Sequence, residues 1–187
     1  MMMPTPLAEP PNTAAWDDEL LTTNRASRYL YWGAAVIGTV TPHFVDNGLR
    51  ATLNVLQHRL CLATETLRGS GSGVSQEDTA HLHALRLALG RCMPAATGPI
   101  VPAGTPAASR LYEAAAVLSQ ALLLLERLAQ HRGAGRLAHT LAFVSASIAF
   151  LEELGRWHNF RHQTPDQPLD TRSWPVVPFL SAGSEVP

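Results

Sequence analysis

With 187 residues, 46% of them hydrophobic, the chain has the size of one domain and enough apolar content for a full core. Charged residues make up 16% and the formal net charge is −1, with neither sign forming a long run, which excludes the electrostatic footprint of a nucleic-acid or anionic-membrane binder. All 14 basic residues are arginine, so a G-x-x-x-x-G-K-[ST] phosphate loop, a Schiff base and a lysine general base are impossible.

The first 15 residues are rich in proline and small side chains and lack the basic-then-apolar layout of a signal peptide, so they read as a flexible tail. A first helix is expected over 17–40, with Asp17, Asp18 and Glu19 favouring its start and Thr41-Pro42 ending it. A second, over 45–68, carries Leu49, Leu53, Leu56, Leu60 and Leu67 at helical spacing and stops at the Gly69–Gly73 linker. Ser75 caps a third over 75–92, with Glu77 and Asp78 in its first turn and Pro94 beyond its end. Pro106 sits at the first turn of a fourth helix that runs to about 130, and Gly133 and Gly135 separate it from a fifth over 136–160.

These elements fit an all-α, five-helix antiparallel bundle spanning 16–163, without a sheet, followed by a Pro-rich tail over 164–187. The most apolar run, Ala114–Leu125, is too short to span a bilayer, so no membrane partner is expected. Cys61 and Cys92 form no metal or redox motif; their apolar neighbours suggest core packing and a cytoplasmic setting.

Three segments carry more than composition. They are Val55-Leu56-Gln57-His58-Arg59-Leu60, then Val74-Ser75-Gln76-Glu77-Asp78, then Ile100-Val101-Pro102-Ala103-Gly104-Thr105-Pro106-Ala107-Ala108. In order and spacing, over about residues 50–130, they resemble the five-helix trimeric ATP:cob(I)alamin adenosyltransferases, whose motifs there are an Ile-Gln pair, I-T-x-E-D and F-x-L-P-G-G-[ST]-x-A-A. Leu154-Gly155-Arg156-Trp157-His158-Asn159 echoes the family's L-A-R-Y-x-N pattern. The resemblance implies a cobalamin adenosyltransferase-like bundle, a homotrimer and a corrinoid ligand.

The departures point away from catalysis. Nothing before Thr23 resembles the family's T-G-D-x-G-x-T phosphate loop, and its R-x-x-x-R-R-x-E-R signature falls on Ala115, Ser119, Gln120, Leu122 and Leu123. The aromatic that packs below the corrin ring falls on Pro99, and the first-helix acid falls near Tyr31. Stabilising a triphosphate leaving group requires paired cations, which this fourth helix lacks at those positions. The expectation is a degenerate, non-catalytic relative that binds cobalamin, another corrinoid or another small ligand, or serves as a trimeric interaction module, with no ATP site and no catalytic residues. The alternatives are an active but divergent adenosyltransferase, its triphosphate held by arginines such as Arg25, Arg28, Arg110 or Arg136, and an unrelated helical partner protein.

The candidate ligand-binding residues are Tyr31, Trp32, His58, Pro99, Ile100, Trp157 and His158. Aromatic clusters on the first and last helices suit a planar ligand, but core or subunit contacts explain them equally. His158 and His162 are four apart, as metal ligands on one helix face are, yet no carboxylate stands at motif spacing and a structural role is the simpler reading.

Overall fold

In the computed structural model, the described residues are 13–69, 73–95, 100–101, 104–164 and 167–168. Five helices follow in order: α1 (Thr13–Val40), closed by a 3-10 turn at Thr41–His43, α2 (Asn47–Leu67), α3 (Gln76–Arg91), α4 (Pro106–Arg132) and α5 (Ala134–Arg161). Two-residue strands β1 (Ile100–Val101) and β2 (Gln167–Pro168) pair antiparallel. This minimal ladder corrects the expectation of no sheet; it is too short for any alternation to register in the sequence. Of the expected C-terminal tail, the remainder beyond Pro168 lies outside the described residues, as does most of the N-terminal tail.

Local chemistry explains the helix starts. The Asp46 side chain caps α2 by accepting from the Leu49 amide, and Ser75 and Asp78 form a reciprocal capping box on α3. At α4 the Thr105 hydroxyl accepts from the Ala108 amide, and Pro106 occupies the first turn. Gly133, at φ +88°, is the break between α4 and α5, whereas Gly135 lies inside α5. α1 begins a turn earlier than the acidic cluster suggests, and Glu19 is used further along.

Successive helices alternate in direction. Tyr31 meets Glu65 across α1 and α2, Gly33 meets Leu118 across α1 and α4, and Gly155 meets Tyr112 across α5 and α4. α4 is central, packed between α1 and α5. The core runs through Leu30, Ile37, Leu53, Leu60, Leu111, Leu118, Leu125, Phe143, Phe150 and Leu154, all almost wholly excluded from solvent. Two stretches, Pro106–Arg132 and Leu137–Arg161, are long and apolar enough to cross a membrane, but half of each is buried inside the bundle, which accounts for the apolar content. Cys61 is half-buried against the core; Cys92 is exposed, its thiol on the Ala88 carbonyl, which corrects its assignment to the interior.

One guanidinium ties three helices at one end. Arg132, in the last turn of α4, donates from Nε to Glu19 Oε1 at 2.6 Å, from Nη2 to Thr23 Oγ1 at 2.9 Å and from Nη1 to the Leu67 carbonyl at 3.1 Å. That carbonyl is among those the end of α2 leaves without a helical partner. Both members of the ion pair are only about a quarter exposed, 25% and 27%. Arg132→Met keeps the stem but orphans all three acceptors; we expect a loss of about 2 kcal/mol, below the range for fully buried pairs because water reaches the site. Urea denaturation checks this, and a loss under about 0.5 kcal/mol contradicts it.

Candidate functional site

The groove between α1 and α4 brings three arginines together. Arg25, Arg28, Tyr29 and Trp32 recur at helical spacing on α1, and the antiparallel α4 sets Gln120, Leu123, Leu124 and Arg127 opposite them. Together they line an open cavity of about 530 Å³. The Tyr29 and Trp32 rings stack with centroids 6.2 Å apart, and Trp32 and Leu123 remain 52% and 55% exposed. Among the described residues, none of the three arginines forms an ion pair with a carboxylate; the pairs use Arg59, Arg68, Arg110, Arg132 and Arg156. Chemically, the groove offers three cations, an amide and an aromatic platform, which suits an anion with a flat apolar part.

Trp32 also borders a second cavity of about 480 Å³, lined by Ala35, Val36, Thr39, His43, Pro106, Arg110 and Glu113. A third, of about 440 Å³, lies between α2 and α3 over Phe143, with Arg59 Nε 3.0 Å from Asp78 Oδ1 at its rim.

The residues singled out from the sequence do not converge on one of these cavities. Tyr31 lies beside Trp32 in sequence but turns to α2, donating its phenol to Glu65 Oε1 at 2.8 Å with the Arg68 guanidinium 5.8 Å from its ring. That bond to the carboxylate, then burial, then the Glu65 charge raise its pKa, opposed by Arg68. His58 is exposed, its Nδ1 bonded to the Asn54 carbonyl at 2.9 Å. Trp157 is half-buried beneath Arg161, whose guanidinium is 5.4 Å from the ring centroid. Ile100 lies in β1, opposite Pro168, and Pro99 falls outside the described residues.

His158 is buried at 6% exposure and bonded, Nδ1 to Thr105 Oγ1, at 2.8 Å. The adjoining Asn159, quoted in the sequence only as part of an echoed pattern, accepts from the Thr105 amide at 3.0 Å. Together they fasten the start of α4 to the end of α5. Gly104 is required there, because a Cβ on it would lie 2.3–2.5 Å from the Asn159 side chain.

On α4, the positions to which the resemblance assigns charge are varied in setting. Ala115 is buried, the Ser119 hydroxyl turns back to the Ala115 carbonyl at 2.9 Å, Leu122 packs against the core, and Gln120 and Leu123 face the arginine groove.

No protein family matches the sequence, and no curated protein matches it. Solved structures share the fold. Two single-substitution variants of a PduO-type ATP:corrinoid adenosyltransferase from Lactobacillus reuteri, each complexed with cobalamin and ATP, superpose with a TM-score of 0.72 at 19% identity. The first covers 79% of this chain and 86% of its own, the second 80% and 84%. A third variant of that enzyme, complexed with ATP, gives a TM-score of 0.69 at 19% identity, over 80% of this chain and 87% of its own. The chain therefore has the fold of the PduO-type corrinoid adenosyltransferases.

Proposed function

We propose that this protein descends from the corrinoid adenosyltransferases and binds a corrinoid or other small ligand, as a homotrimer, without transferring adenosyl. The observation that carries the reading is the chemistry of α4: the bundle is kept while the helix that would neutralise a triphosphate offers Ala115, Ser119, Gln120, Leu122 and Leu123. Because Ala115 is buried in the core, an arginine there would bring an uncompensated charge out of water. The outward Trp32 and Leu123, with Leu21 about three turns earlier on the same stripe of α1, support subunit association through the α1–α4 face, and two free cysteines support a cytoplasmic setting.

Incubation with reduced cobalamin and ATP should yield no adenosylcobalamin above the protein-free blank, while hydroxocobalamin titration should show saturable binding. Turnover overturns the non-catalytic reading; absence of cobalamin binding narrows the ligand to another small molecule or points to the interaction module.

A divergent enzyme is the second reading, favoured by the clustering of Arg25, Arg28 and Arg127 in one groove. Calorimetry separates the two. The first predicts negligible ATP binding with or without magnesium; micromolar affinity that falls tenfold or more in Arg28→Ala shifts the conclusion to the second.

A further inference from the structure

The end of α5 carries a buried group that the proposed function does not use. His158 points its Nδ1 at the Thr105 hydroxyl, while its ring stacks on His162 with centroids 4.3 Å apart and meets the Phe44 edge at 5.2 Å. The Thr105 oxygen already accepts the Ala108 amide as the cap of α4. Its single proton goes to His158 Nδ1 at 2.8 Å, which then carries a lone pair, or to Asn159 Oδ1 at 3.3 Å, in which case the second lone pair of Thr105 accepts from a protonated Nδ1.

We propose that His158, Thr105 and Asn159 form an acid-released latch, which pins the start of α4 to the end of α5 at neutral pH and opens when His158 takes up a proton. Protonation places a cation in a buried site, 4.3 Å from the His162 ring, and in the tautomer with the lone pair on Nδ1 it also removes the acceptor that Thr105 uses. The charges acting on the ring are those of His162 on its own helix and His43 in the turn after α1; across from it α4 presents only the Thr105 hydroxyl, and no described carboxylate offsets them. The C-terminal dipole of α5 favours a cation, but burial first, and then His162 and His43, prevail and lower the pKa of His158 from the ordinary 6.5.

The sign follows from that direction. A depressed value means that the proton binds better to the open form, so the closed form is fully favoured above pH 6.5 and loses ground as the pH falls from there through the folded value. Opening has a structural consequence, because Pro106 and His43 share the cavity that Trp32 borders between α1 and α4.

Amide hydrogen exchange on the full chain from pH 7.5 to 5, corrected for intrinsic rates, tests the latch at Thr105, Ala108 and Ser109. Protection should be flat above pH 6.5 and then fall by up to about tenfold per pH unit, while amides in the middle of α2 change little. In His158→Gln the local fall should vanish. In the double variant His43→Asn with His162→Asn it should begin at higher pH, since two like charges are gone. A ring titration of His158 by NMR at or above 6.5, a wild type without the local fall, or an undiminished fall in His158→Gln each overturns the proposal. If His158→Gln does not fold, the double variant and the ring titration decide.

Discussion

Gly104→Val is expected to destabilise the protein by roughly 3–5 kcal/mol, a large part of the 5–15 kcal/mol that holds a typical domain together. Two separate costs meet at this position. Its φ of +114° is a conformation that side chains with a Cβ rarely adopt, costing about 1–3 kcal/mol. The added carbon would also occupy the space of the Asn159 amide, at 2.3–2.5 Å, and Asn159 is only 1% exposed with nowhere to retreat. Driving it away breaks its bond to the Thr105 amide and leaves buried polar atoms unsatisfied, costing about 1–3 kcal/mol more. Guanidinium denaturation of Gly104→Ala, Asn159→Ala and the double variant separates the costs, because removing the Asn159 amide relieves the clash and leaves the torsional strain. A Gly104→Ala variant as stable as the wild type would contradict both.

Much of the bundle was legible because its punctuation is chemical and local. Ser75 with Asp78, and Thr105 with Pro106, mark helix starts through bonds made within four residues, and these are where the expected boundaries match best. The start of α1 was misplaced because Asp17, Asp18 and Glu19 resemble a first turn, whereas Glu19 serves Arg132, 113 residues away. The β1–β2 ladder and the exposure of Cys92 likewise depend on contacts that no local pattern encodes.

The site was legible on one helix at a time. Arg25, Arg28 and Trp32 fall on one stripe of α1 by spacing alone, but Arg127 joins them only because α4 runs antiparallel alongside. His158 stands out in the sequence by its four-residue spacing from His162, where a structural role is the simpler reading beside its place among the candidate ligand residues, but its partner Thr105 lies 53 residues earlier. Neighbours in sequence were also separated in space. Tyr31 and Trp32 differ by one position, which on a helix is about 100°, and they face α2 and the α1–α4 groove respectively.

Beside that groove, Gly33 of α1 packs directly against the Leu118 side chain of α4. A Cβ on Gly33 would lie 2.6 Å from Leu118 Cδ2 and 2.9 Å from its Cγ, and Leu118 is fully buried. Gly33→Ala gains about 0.8–1 kcal/mol of helix propensity, but overpacking a filled core costs about 1–3 kcal/mol, so the single variant should be less stable than the wild type. Leu118→Ala opens a cavity and should cost about 2–5 kcal/mol. In the double variant the methyl introduced by Gly33→Ala enters space that the leucine has vacated, so its overpacking disappears while its propensity gain remains. The loss should therefore fall short of the sum of the singles by about 1–3 kcal/mol. Urea denaturation of the four proteins measures this coupling, and additivity within about 0.5 kcal/mol would mean that the two helices part freely at this crossing. Since Gly33 adjoins Trp32, Gly33→Ala should also alter the indole fluorescence in the arginine groove, and Leu118→Ala added to it should restore the wild-type spectrum.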